Sequence, residues 1–163
     1  MLVKIKKNSN LYFKNFKYKC ALGKNGIKTN KIEGDKTTPK GIYTLGKLYY
    51  RNDRLKKINT NLVCKKINKN MGWCNDSKSK YYNKEIKINK KLKYEKLFRN
   101  DFKYDALIVI NYNKNPTIKN KGSAIFLHLT KNYKPTLGCI TIKIKDFINL
   151  SKFLNKNTKI NIE

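Results

Sequence analysis

Three nearly continuous apolar runs in the second half of the chain constrain its fold more than any other feature. They are Ala106 to Tyr112, Ser123 to Leu129 and Gly138 to Ile144. Each has the length of a strand and is too short for a core helix. An apolar run with little alternation fits a strand buried on both faces. Shorter candidates surround them: Leu2 to Ile5, Tyr18 to Leu22, Gly41 to Tyr50, Ile86 to Ile88 and Thr158 to Ile162. Only one segment has helical spacing. Asp146 to Leu154 places Phe147, Leu150 and Leu154 on one face, with Asp146 in the first turn, where an acid suits the helix dipole. From Asn52 to Asn83 the chain is polar and weakly periodic. That predicts an excursion with little regular structure, capping one side of the core. The pattern as a whole predicts an all-β fold, a sheet or barrel core with one late helix. No linker or repeat divides residues 1–163, so a single domain is expected.

Charge is the second constraint. The net charge is +29, from 39 Lys and Arg against 10 Asp and Glu. Such a surface is drawn to anionic polymers in a salt-dependent way. Its composition argues against nucleic acid as the partner. Only Arg51, Arg54 and Arg99 are arginines, and phosphate and base recognition lean on the planar guanidinium. The lysines form no compact block. Lys, Asn, Ile, Tyr and Phe share A/T-rich codons, so base composition accounts for the bias. No nucleic-acid partner is expected.

Cys20, Cys64, Cys74 and Cys139 form no disulfide framework, although Cys64 and Cys74 are the pair best placed for one bridge. With one His and no Cys cluster, a metal site has little to build on, and no cofactor is expected. Met1 to Lys7 is basic but has no apolar run behind it. No signal peptide and no membrane span are visible, which by sequence alone reads as cytoplasmic.

Two segments carry candidate chemistry. Gly34-Asp35-Lys36-Thr37-Thr38-Pro39-Lys40-Gly41 is a polar turn bracketed by glycines, with Pro39 directing the chain into a strand. It is not a nucleotide P-loop, because a strand follows where a helix is required. The other segment runs from His128, the only histidine, to Thr136-Leu137-Gly138-Cys139-Ile140. A thiol attacks effectively only once a base takes its proton. Adjacent strands would bring the imidazole of His128 to Cys139. The backbone N–H groups of Gly138 and Cys139 would be free to face an oxyanion. Thr136, Asn111 and Tyr112 are candidates for the wall of a substrate cleft.

In this order and spacing, the two segments resemble the YkuD-type L,D-transpeptidase family. The first match comprises Gly34, Thr38, Pro39 and Gly41. The second comprises His128, Thr136, Gly138, Cys139 and Ile140. The resemblance spans about residues 20–162. It looks closest to a compact single-domain bacterial branch, on Gly72-Trp73-Cys74-Asn75-Asp76 and Gly122 to His128. Many members carry Arg two positions after the nucleophile, where this chain has Thr141.

The resemblance implies the mixed β-sandwich or barrel-like core of the L,D-transpeptidase catalytic domain. It implies acyl transfer on peptidoglycan stem peptides, with Cys139 as nucleophile, His128 as base and a thioester acyl-enzyme. A terminal D-amino acid would leave, and an amine would resolve the thioester to a cross-link. It also implies a periplasmic or cell-envelope location. Water as acceptor would give an L,D-carboxypeptidase. Another cysteine amidase and a non-catalytic, basic polyanion-binding β module are the remaining alternatives.

Overall fold

A computed structural model describes all 163 residues, Met1 to Glu163. The chain opens with three short antiparallel strands, β1 (Leu2–Lys6), β2 (Asn10–Phe13) and β3 (Phe16–Lys19). Val3, Ile5, Leu11 and Phe13 turn inward, while Lys4 and Lys6 face water. That is the period of two that an exposed sheet face requires. Two-residue strands β4 (Ile27–Lys28) and β5 (Thr38–Pro39) pair in parallel and lead into β6 (Gly41–Tyr50), the longest strand. β7 (Cys64–Lys66) runs parallel to its end. β8 (Met71–Cys74), β9 (Glu85–Lys87) and β10 (Tyr94–Lys96) form a separate antiparallel sheet with β8 in the middle. Then come β11 (Ala106–Ile110), β12 (Phe126–Leu129), β13 (Ile140–Ile142), helix α1 (Ile144–Ser151) and β14 (Lys159–Ile162).

The main sheet has the order β13-β12-β11-β6-β14-β1-β2-β3, with β7 beside β6. Its ends almost meet. Ala21, just past β3, exchanges both backbone hydrogen bonds with Thr141 of β13, at 2.9 and 3.0 Å. The sheet is therefore nearly closed and barrel-like, with few exposed edges.

Its strands are buried on two faces. Leu48, Ala106, Ile108, Ile110, Leu127 and Ile140 belong to a large inner core, which α1 covers with Phe147 and Leu150. The alternate residues Tyr49, Leu107, Val109, Phe126 and Cys139 face a second core, where they meet Met71 and Trp73 of β8. The two-sided burial explains why β11 and β12 read as unbroken apolar runs.

The excursion from residue 52 is more regular than its sequence predicts. It contains β7 and β8 and continues into β9 and β10, and this small sheet caps the second core. β8 shows no alternation because all four of its residues are buried. Gly72 provides the room: a Cβ there would stand 3.1 Å from the Tyr94 ring. The helix starts two residues before Asp146 and ends at Ser151, although Leu154 still packs in the inner core. No side chain caps its first turn, so burial of its apolar face holds it. All four cysteines are free thiols, and Cys64 and Cys74 are not joined. They lie in different sheets, so proximity in sequence does not bring them together.

Candidate active site

β12 and β13 run parallel, with His128 opposite Thr141 and Leu127 opposite Ile140. Leu127, Leu129, Ile140 and Ile142 point into the inner core. The pleat therefore turns Phe126 and His128 of β12, with Cys139 and Thr141 of the neighbouring strand, to the other face. His128 and Cys139 share that face one diagonal step apart. Both line a cleft of about 690 Å³ whose wall also includes Lys31, Glu95, Arg99 and Tyr104.

The thiol is held between two backbone groups. Cys139 Sγ donates to the carbonyl of Ala124 at 3.1 Å and accepts the N–H of Phe126 at 3.4 Å. Burial pushes its pKa up to about 12, and the Glu95 charge adds to this. The Phe126 N–H, Lys31 and Tyr104 oppose the shift without cancelling it. Burial also pulls His128 down to about 4, against the carbonyls of Leu129 and Lys103. His128 Nδ1 lies 3.2 Å from the Leu129 carbonyl, which can only accept. Nδ1 therefore carries the proton and Nε2 keeps its lone pair. The imidazole is braced edge-on by Tyr104, with ring centroids 5.0 Å apart. Tyr104 in turn donates to Glu95 Oε1 at 2.5 Å. At neutral pH the resting pair is thus a neutral thiol and a neutral imidazole, with no hydrogen bond between them.

The turn before Cys139 departs from expectation. The Gly138 N–H is not free: it donates to Thr136 Oγ1 at 3.0 Å. The same hydroxyl donates to the Cys139 carbonyl at 2.6 Å, so Thr136 braces the turn from within. The Cys139 N–H has no acceptor in the chain. Asn111 and Tyr112 lie outside the cleft. Asn111 donates to Thr44 Oγ1, and Tyr112 packs edge-on against Tyr43. The end of β11 points them towards β6 and the loop at Lys121, away from the thiol.

The structure brings the two sequence motifs together. Thr38 Oγ1 accepts the Gly23 N–H at 2.8 Å and donates to the Gly138 carbonyl at 2.9 Å. Gly138 has φ +144, and a Cβ there would meet the Thr37 carbonyl at 2.8 Å. Only glycine suits that approach.

Sequence reasoning missed Asn83, Glu95, Tyr104 and Lys31. Asn83 Oδ1 accepts both Trp73 Nε1–H and the Ala124 N–H, which fixes the residue whose carbonyl receives the thiol. Its φ of +57 suits Asn. Nothing in the sequence marks Tyr104 among eleven tyrosines.

The family model of the YkuD L,D-transpeptidase catalytic domain matches residues 2–162. The chain belongs to the YkuD family. The YkuD match begins well before the segment that first showed the resemblance and takes in β1, which pairs with β14. Among solved structures, the chain is similar to Bd1075 of Bdellovibrio bacteriovorus, with 14% identity and a TM-score of 0.52 over 99% of this chain and 47% of that one. It is also similar to the helical cell shape determining protein Pgp2 of Campylobacter jejuni, with 16% identity and a TM-score of 0.51 over 99% and 46%. At these identities the likeness concerns the fold. The chain spans about half the length of these two proteins. A comparison with curated protein sequences gave no match. In this YkuD domain no helix is long and apolar enough to cross a membrane.

Proposed function

We propose that this YkuD domain is a cysteine-dependent L,D-transpeptidase acting on peptidoglycan stem peptides. The observation that carries the reading is the placement of Cys139 and His128 on one face of two parallel strands, at the wall of one cleft. The Cys139 thiol attacks the carbonyl between the third, L-centred residue and the terminal D-amino acid. His128 Nε2 takes the thiol proton as the C–S bond forms, then gives it to the departing amine. Because thiol and imidazole rest neutral, proton transfer accompanies attack and does not precede it. Burial of the thiol disfavours its thiolate in the resting protein. An amine on a second stem peptide resolves the thioester to a cross-link; water resolves it to a shortened peptide. The substrate places the protein's work at the cell envelope.

The test is incubation with a disaccharide tetrapeptide ending in D-Ala, followed by intact mass and product analysis. The expected result is an adduct confined to Cys139, with D-Ala released. Cross-linked dimer among the products identifies the acceptor as an amine, and tripeptide alone identifies it as water. Folded protein that gives neither adduct nor D-Ala overturns the reading.

A further inference from the structure

Acyl transfer through Cys139 creates negative charge on the substrate oxygen, and two preorganised donors normally receive such a charge. The turn supplies only one. The Gly138 N–H is spent on Thr136 Oγ1, leaving the Cys139 N–H. Thr141, where many family members carry Arg, has a buried hydroxyl without a partner and no charge. Glu95 lines the same cleft, and its charge opposes charge build-up on sulfur.

Lys31 is the cation next to this turn. Its side chain is only 3% exposed, and it lines the same cleft. Nζ lies 3.4 Å from the position a Cβ on Gly138 would take. Its partner in the chain is Asp35 Oδ1, at 2.6 Å, so two of its three N–H groups remain unused. The amine is held in place. Asp35 is itself anchored by the Ile32 N–H, the Thr37 N–H and the Thr37 hydroxyl. The lysine stem passes over Gly122, where a Cβ would stand 2.8 Å from its Cε. A buried ammonium fixed at one N–H and open at two is a preorganised donor, not a mobile surface lysine. Its charge also favours the Cys139 thiolate.

We propose that Lys31 Nζ is the second oxyanion donor of the Cys139 centre, taking the place of the amide that Gly138 turns onto Thr136. The inference rests on the acyl-transfer reading above. As the C–S bond forms, the carbonyl π pair moves onto oxygen, which accepts hydrogen bonds from Lys31 Nζ–H and Cys139 N–H. As the C–N bond breaks, the pair returns and the amine leaves with the proton from His128. Lys31 keeps its own proton throughout.

The experiment compares wild type, Lys31→Met, Lys31→Arg and the double variant Lys31→Met/Asp35→Asn, each checked for folding by thermal melting. The double variant removes the carboxylate that Lys31→Met alone would leave unpaired. The readout is the rate of Cys139 acylation by the tetrapeptide against substrate concentration. Wild-type acylation establishes the underlying reaction, so its absence would count against that reading and not against Lys31 alone. Folded Lys31→Met, or the double variant, should lose about 10²–10³-fold in the saturating rate with little change in KM. Lys31→Arg should recover much of it. A saturating rate within threefold of wild type overturns the proposal. So does a loss confined to KM, which would make Lys31 a contact for the ground-state substrate.

Discussion

The Thr38 hydroxyl donates to the Gly138 carbonyl across 2.9 Å, joining segments one hundred residues apart. Thr38 is fully buried, and its oxygen also accepts the Gly23 N–H. Thr38→Val keeps the shape but strands both a buried donor and a buried acceptor. The expected cost is about 1–3 kcal/mol of stability. Gly138→Ala forces a Cβ against the Thr37 carbonyl at a positive φ, at a similar cost of about 1–3 kcal/mol. Denaturant melts of the two variants check both values. A Gly138→Ala protein as stable as wild type would mean the turn relaxes freely.

That contact shows what the sequence could and could not reveal. The apolar runs of β11 and β12 were legible because burial on both faces removes alternation. The order and spacing of His128 and Cys139 were legible as a motif, but their meeting on one face depends on the register of β12 against β13. β8 was not legible: four buried residues with a glycine at their centre have no period. The Gly138 amide also escaped, because its partner is a side chain two residues away, and a turn's internal hydrogen bonds depend on its φ and ψ. Glu95, Tyr104 and Lys31 reach the cleft only through tertiary packing.

His128 should govern the acid side of both stability and activity. Its folded-state pKa is about 4, below the ordinary 6.5, because burial disfavours the imidazolium. Between those values the unfolded chain binds a proton that the folded chain refuses. The stabilisation is therefore full above pH 6.5 and is lost as pH falls to 4. Its size is on the order of 3 kcal/mol. Asp35 acts lower: burial would raise its pKa, but hydrogen bonds from Lys31, Ile32 and Thr37 outweigh that and hold its carboxyl well below the usual range. Its share is lost only below about pH 4. Denaturation of wild type and His128→Gln from pH 7 to 4 should show a slope that the variant lacks. The acid limb of kcat/KM should fall near pH 4. His128→Gln should lower acylation by roughly 10²–10⁴.

Asn83 connects the capping sheet to the thiol. Its Oδ1 accepts from Trp73 and Ala124, and its Nδ2 donates to the carbonyls of Tyr112 and Asn113. Asn83→Ala leaves the indole N–H and the Ala124 N–H without their acceptor, at an expected cost of about 2–4 kcal/mol. Acylation should slow as well, because the Ala124 carbonyl that holds the thiol loses its brace. Stability and acylation measured on the same preparation check this. Normal acylation in a destabilised variant would confine Asn83 to a structural role.

The neutral resting state of Cys139 predicts an unusual labelling order. A preformed thiolate would make it the fastest-reacting cysteine at neutral pH. Here burial holds both Cys139 and Cys20 near 12, while Cys64 is only half-buried. Iodoacetamide at pH 7 should therefore modify Cys64 first and leave Cys139 largely intact. A tetrapeptide substrate, which brings its own carbonyl to the cleft, should acylate Cys139 and leave Cys64 alone. Peptide mapping after each treatment reads the two orders directly. Cys139→Ser should abolish the adduct while keeping the thermal melt, because the hydroxyl can still donate to the Ala124 carbonyl. Rapid iodoacetamide labelling of Cys139 in wild type would instead mean that His128 already holds its proton at rest. The acid limb of kcat/KM would then report the ion pair and not the free imidazole.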